Sequence, residues 1–310
     1  MIYQKINLKV NYLKKGISNG GFQPTLTTYV LENHESVDIN RKRPFVLICP
    51  GGGYGHHSVR EAEPIALAMN NAGYHAGVLH YSLAPMDFPS AFFDGIEALK
   101  LIRENIDDWN IDENQVVVMG FSAGGHLAAS LGCWYKSKIV EKVLGYQAED
   151  VRPNALCLCY PVILSGQFAH EGSVKNLIGN ALEKPDVKSL IKSSFDFGDS
   201  KSDDISIDDL KNLVSLDTQV DKDFPPTFIW HTFEDSTVPM ENSLTFAKVL
   251  REKSVPFEMH IFEDGPHGIA TADKVTTPML YPLRTRRWLD MSADWIEEKA
   301  EKPEYLIYNN

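Results

Sequence analysis

From residue 43 onward the chain keeps one rhythm: a short apolar, β-rich run, then a stretch of helical character. Runs 44–49, 73–81, 115–119, 156–163, 227–231 and 257–262 read as strands. Stretches 58–70, 89–106, 241–253 and 283–299 read as helices, with a further small-residue helix after Gly125. A strand that is apolar along its whole length must be covered on both faces. The intervening helices supply that cover, which predicts an α/β fold on a mostly parallel, doubly wound sheet with helices on both faces. Residues 58–61 (Ser-Val-Arg-Glu) have the form of a capping box opening the first helix. The first 42 residues form a lead-in, with strands at 3–10 and 25–31 around a loop rich in Gly and Asn at 16–21. One stretch breaks the rhythm. Residues 165–224 hold no clear strand, and 195–210 carry six Asp against one Lys. They read as an insertion in a single domain spanning 1–310, either a solvated surface excursion or a cap over an active site. The Asp spacing lacks the central Gly and terminal Glu of a calcium loop.

Charge narrows the range of partners. With 30 Lys+Arg against 42 Asp+Glu, the formal net charge is −12. Such a surplus repels phosphate backbones and anionic lipid, so neither nucleic acid nor a membrane surface is an expected partner. The longest apolar run, 155–164, contains Pro161 and is half of the roughly 20 residues a spanning helix needs. The N-terminus has no long apolar segment followed by a small-residue cleavage site, the mark of a secretory signal. Four cysteines (Cys49, Cys133, Cys157, Cys159) lie in apolar contexts, too few and too scattered for a disulfide framework or a zinc site. Reduced core thiols in a cytoplasmic protein are expected, with no metal and no cofactor.

Gly120-Phe121-Ser122-Ala123-Gly124 fits G-x-S-x-G. A random chain of this length would show the pattern roughly once in ten, so its context decides its meaning. Here it lies directly between a β-branched strand and a small-residue helix, as a nucleophile elbow requires. Strand and helix nearly touch there, and only small residues fit beside the serine. An acyl-transfer serine needs N–H donors for the developing oxyanion. Gly51-Gly52-Gly53 follows an earlier apolar strand and can bring bare amides close, while no G-K-[ST] or G-x-G-x-x-G marks a phosphate loop. The general base is expected on a loop after the last strand, where His267 sits in Gly265-Pro266-His267-Gly268. Asp235, after the strand ending at His231, is expected to orient the imidazole; Glu234 and Asp264 are rivals. The order Ser122, Asp235, His267 is that of the α/β hydrolases and not of the chymotrypsin or subtilisin types. His56 and His57, just beyond the glycine loop, are candidates for the pocket lining; His126 and His231 are expected to pack or bond locally.

Taken together, Cys49-Pro50-Gly51-Gly52-Gly53-Tyr54, Tyr81-Ser82-Leu83-Ala84-Pro85, the elbow, the segment from Trp230 to Pro239, and Gly265-Pro266-His267-Gly268 resemble the α/β-hydrolase esterase/lipase family. The nearest likeness is to bacterial carbohydrate esterases of the acetyl xylan esterase-like and feruloyl esterase-like kind. The resemblance implies an α/β-hydrolase fold, with Ser122 as nucleophile, His267 as base and Asp235 as orienting acid. It places the oxyanion donors at the backbone N–H of Ala123 and of Gly52 or Gly53. The implied activity is hydrolysis of a small-molecule ester, an acetylated carbohydrate being favoured. Tyr54, beside the glycine loop, is a candidate to stack on a sugar ring, with a core position as the alternative. Two positions depart from the pattern: Pro50 stands where many relatives carry His, and Ser82 where the lipase branch carries Arg, so a loop-bracing contact is expected to be missing. A prolyl-oligopeptidase-like peptidase or amidase is the nearest alternative, and a non-catalytic ligand-binding hydrolase fold a second. Oligomeric state is not legible.

Overall fold

The computed structural model describes residues 1–10, 12, 21–197, 204–280 and 283–301. Most of the loop expected at 16–21, part of the acidic run and the tail 302–310 lie outside them. Eight strands form one sheet in the order β1-β2-β4-β3-β5-β6-β7-β8. They are β1 (Ile2–Asn7), β2 (Thr25–Val30), β3 (Arg43–Cys49), β4 (His75–His80), β5 (Ile111–Phe121), β6 (Ala155–Cys159), β7 (Thr227–Thr232) and β8 (Phe257–Phe262). Strand β2 pairs antiparallel with both β1 and β4, and every pair from β4 to β8 is parallel. This is an α/β-hydrolase sheet.

Each central strand serves two cores, as its lack of polar positions demands. On β5, Val116 and Val118 join one apolar cluster while Val117, Met119 and Phe121 join the other. On β6, Leu156 and Leu158 face the first cluster, Cys157 and Cys159 the second. The second face is closed by α1 (Glu63–Asn71) and α8 (Trp288–Glu301), whose Ile65, Met69, Trp288 and Trp295 are buried. The first is closed by α2 (Ser90–Glu104), α3 (Ala123–Trp134) and α7 (Glu241–Glu252), through Phe93, Ile96, Leu131 and Phe246.

The insertion folds as α4 (Glu171–Ile178), α5 (Pro185–Ser194) and α6 (Ile207–Val214), with no strand among its described residues. Its Val174, Leu177, Val187, Ile191, Leu210 and Leu213 join the first core cluster, so the segment is packed on the sheet's helices as part of the same interior. A capping box starts α6, Ser206 and Asp209 exchanging bonds with each other's backbone.

The box expected at Ser58 does not form. Ser58 makes no side-chain cap bond, residues 59–61 close a single 3-10 turn, and α1 starts only at Glu63. Glu61 is 3% exposed, because its carboxylate turns inward. Ser82 departs from expectation as well. It is 2% exposed; its N–H donates to Asp94 Oδ2 at 2.6 Å and its hydroxyl meets that of Tyr12 at 3.3 Å, while Tyr12 also donates to Asp94. A buried tyrosine-carboxyl pair therefore braces the loop.

Candidate active site

Strand β5 runs into α3 through Ser122, whose φ of 53° and ψ of −120° lie where L-residues are strained. Four bonds hold it there: Ser122 N–H donates to Cys159 O at 3.0 Å, and its carbonyl accepts from Gly125 at 2.9 Å, Val162 at 3.0 Å and His126 at 3.2 Å. The small residues that follow are a steric requirement. A Cβ on Gly124 would lie 2.0 Å from the carbonyl oxygen of Cys49, at the end of the neighbouring strand.

The three side chains expected to cooperate are brought together from three strand ends. His267 Nε2 lies 2.8 Å from Ser122 Oγ, and His267 Nδ1 lies 2.6 Å from Asp235 Oδ2. The carboxylate's other oxygen accepts N–H bonds from Thr237 at 3.0 Å and Val238 at 2.9 Å. His231 Nε2 stands 3.2 Å from Asp235 Oδ2 and is fixed by Ser243 on its other nitrogen. Burial alone would raise the pKa of Asp235, but hydrogen bonds from His231, His267 and the Val238 amide outweigh it and hold the group well below the usual carboxylate range. Asp235 is thus ionised and accepts from His267 Nδ1–H, leaving Nε2 free to take the serine proton. The rival Glu234 does other work. Glu234 accepts the Gly265 N–H at 2.9 Å and so braces the histidine loop, helped by Thr232 Oγ1 donating to Gly265 O at 2.6 Å.

Above the serine runs the loop after β3. Gly52 and Gly53 have φ of 120° and 64°, and a Cβ on Gly52 would lie 2.0 Å from His56 O. The N–H groups of Gly52, Gly53 and Ala123 find no acceptor among the described residues. Orphan amides beside a helix N-terminus are suited to an oxyanion. The Gly51 N–H is already engaged, donating to Glu61 Oε2 at 2.8 Å. Pro50, at the position where histidine was expected, has its carbonyl held by the Tyr81 hydroxyl at 2.5 Å.

Two expected substrate contacts are corrected. Tyr54 is 2% exposed; its ring packs edge-on against Tyr81 and His126, and its hydroxyl bonds His126 Nδ1 at 2.9 Å. It cannot stack on a sugar. His57 lies outside the pocket, its ring 4.8 Å from that of His80 and 4.7 Å from that of Tyr81. The neighbouring His56 does line the pocket. His126 behaves as expected, donating from Nε2 to Val214 O at 2.8 Å; burial holds it neutral, lowering its pKa to about 4.

The cleft over Ser122 has a volume of about 450 Å³ and is lined by Ser122, His267, the glycine loop, His56, Ser58, Arg60, Glu61, His170, Asn176 and Thr237. None of its lining residues is aliphatic or aromatic beyond histidine. His170 and Asn176 come from α4 and its N-cap, and Asn176 Nδ2 donates to Gly53 O at 2.8 Å. The insertion therefore forms one wall and fastens the glycine loop. A larger cleft of about 580 Å³ lies between α4 and α6, shares Gly172 with the first and holds no member of the triad. The sequence pointed to none of Glu61, Arg60, His170 or Asn176 as site residues. Glu61 reads in the sequence only as the closing residue of a capping box, and no sequence signal ties it to the glycine loop.

Residues 34–250 match the model of the BD-FAE family. The chain belongs to that family. It is similar to endo-1,4-beta-xylanase B of Butyrivibrio fibrisolvens, 35% identical over 82% of this chain and 36% of the relative. It is also similar to an acetylxylan esterase of Xylanibacter ruminicola, 28% identical over 71% of this chain and 39% of the relative. The chain thus matches little more than a third of each of these curated relatives. A solved acetyl ester-xyloside bifunctional hydrolase from Caldicellulosiruptor lactoaceticus superposes with a TM-score of 0.75 at 34% identity, covering 96% of both chains.

Proposed function

We propose that this BD-FAE member is a serine carboxylic-ester hydrolase that removes short acyl groups, acetyl foremost, from a hydroxyl-rich small molecule such as a carbohydrate. The observation that carries it is the contact of His267 Nε2 with Ser122 Oγ at 2.8 Å, beneath three backbone amides without acceptors among the described residues. Ser122 Oγ attacks the ester carbonyl as its proton passes to His267 Nε2; the oxyanion is received by N–H of Ala123 and of Gly52 or Gly53. The tetrahedral intermediate collapses, His267 returns the proton to the leaving alkoxide, and an acyl-serine remains. Water, deprotonated by His267, attacks that acyl group and a second collapse releases the acid and restores Ser122.

The substrate class rests on the lining and on the relatives. A pocket without aliphatic walls offers little for a long acyl chain to bury against, at roughly 0.8 kcal/mol per methylene elsewhere. A xylanase, an acetylxylan esterase and an acetyl ester-xyloside hydrolase among the similar proteins support a carbohydrate ester. The four free cysteines, three of them buried, support a reducing, cytoplasmic setting.

The test is a hydrolysis panel of p-nitrophenyl acetate, p-nitrophenyl octanoate, acetylated xylo-oligosaccharides and aminoacyl naphthylamides. Acetate esters are expected to turn over fastest, and Ser122→Ala to abolish turnover while the thermal midpoint stays within about 2 °C. Activity retained by Ser122→Ala sinks the mechanism; naphthylamides cleaved faster than acetates would make the protein an amidase.

A further inference from the structure

The ester hydrolysis proposed above uses Ser122, His267, Asp235 and three amides, and leaves unexplained a carboxylate buried beside them. Glu61 is 3% exposed and makes no ion pair among the described residues. Burying a carboxylate without a cationic partner is unfavourable unless strong hydrogen bonds replace its water. Both oxygens are so bonded. Oε2 accepts the Gly51 N–H at 2.8 Å, and Oε1 accepts the Tyr160 hydroxyl proton at 2.8 Å.

These two partners belong to the two halves of the catalytic apparatus. Gly51 opens the loop whose next two amides are the oxyanion donors, and it passes directly over the elbow: a Cβ there would lie 2.8 Å from Ser122 Cβ. Tyr160 lies just beyond β6 with a φ of 37°. Its hydroxyl oxygen accepts the Ala270 N–H at 3.1 Å, and its ring meets the His267 imidazole edge-on at 4.9 Å. The path from Gly51 through Glu61 and Tyr160 to Ala270 therefore ties the oxyanion loop to the histidine loop without passing through Ser122.

We infer that Glu61 is a positioning residue that holds the oxyanion amides and the histidine loop in mutual register through Gly51 and Tyr160. The carboxylate form is required because both partners are donors. A glutamine can accept from only one of them and must turn its NH₂ toward the other, a mismatch that frees either the glycine loop or Tyr160. The transition state needs both loops in place at once, whereas the ground-state ester does not, so the loss falls on kcat.

The experiment compares wild type, Glu61→Gln, Glu61→Asp and Tyr160→Phe with p-nitrophenyl acetate, using Ser122→Ala as blank. For Glu61→Gln, kcat is expected to fall about 100-fold, as for a small misplacement of catalytic groups. Its KM should stay within about threefold of wild type. Affinity for phenylboronic acid, which adds to Ser122 Oγ as a tetrahedral anion, should fall by the same factor as kcat/KM. Tyr160→Phe removes one end of the path and should lose less, and the double variant should be no worse than Glu61→Gln alone. If Glu61→Gln fails to fold, Glu61→Asp decides: it keeps the charge but draws the carboxylate back by one methylene, and should show the same kcat loss. A soluble Glu61 variant with wild-type kcat and boronate affinity overturns the inference, as does a loss carried by KM alone. If Ser122→Ala retains activity, the mechanism fails first, independently of Glu61.

Discussion

Asp235 shows how much one carboxylate is asked to do. Its Oδ1 is committed to the Thr237 and Val238 amides, so in Asp235→Asn the amide oxygen must take that place and the NH₂ must face His267 Nδ1. The imidazole would then carry its proton on Nε2, the tautomer that cannot accept from Ser122. A fall in kcat of about 10⁴-fold is expected, read with p-nitrophenyl acetate at neutral pH. The same group contributes to stability with a definite sign. Its folded-state pKa is depressed, so its contribution is full above the ordinary carboxylate value and fades as pH falls below about 4. The stability difference between wild type and Asp235→Asn should therefore narrow in acid, which denaturant titrations at stepped pH would reveal. At this scale the triad was legible because each member has a local signature: an elbow, or a loop after a strand. Glu61, His170 and Asn176 have none, since their roles are set by partners far along the chain or across the pocket. Tyr54 misled because adjacency to the glycine loop says nothing about which way a ring turns.

The elbow is the element on which the site depends, and its tolerance is narrow. Gly124→Ala would drive a methyl group into backbone carbonyls of Cys49 and Pro50, neither of which is a flexible side-chain end. A loss of about 3 kcal/mol or failure to fold is expected, measured by chemical denaturation, because α3 cannot move away without pulling Ser122 off the strand end. Strands of the parallel sheet were readable because double burial leaves an unbroken apolar run; β5 and β7 declare themselves this way. Their ends were less clear. Strand β6 stops at Cys159, before the apolar run does, because Tyr160 turns into a positive φ and Pro161 lacks a donor for the ladder. The insertion was opaque since its helices pack their apolar stripes on the sheet's helices while displaying acidic residues outward, so composition showed the outer face and hid the inner one.

Across the whole molecule, acid should be damaging well above the carboxylate range. Burial lowers His57, His75 and His126 to about 4 from 6.5 and shifts His80 and His170 the same way. His57, His75 and His126 stay neutral in the folded chain while their unfolded counterparts charge, so their contribution is full above pH 6.5 and lost as pH falls from there to about 4, and His80 and His170 act in the same direction. Asp94 opposes this: burial raises it to about 7, so its contribution is full below the ordinary carboxylate value and is lost as pH rises through 7. Five groups against one give a thermal midpoint that falls between pH 6.5 and 4. His75→Gln should flatten that slope and Asp94→Asn steepen it, both readable by calorimetry. The mostly parallel sheet and the convergence of three strand ends were implied by rhythm and motif, whereas the strand order, the antiparallel edge and the coupling of distant segments were not. One such coupling has a consequence for adaptation. The side chain of Asn176 ties the wall that meets the incoming molecule to the carbonyl of Gly53. A lineage that exchanges this helix to accept a new diet also slackens the grip on the reaction's fleeting anion, so broader appetite and undiminished speed must be recovered by separate, compensating changes.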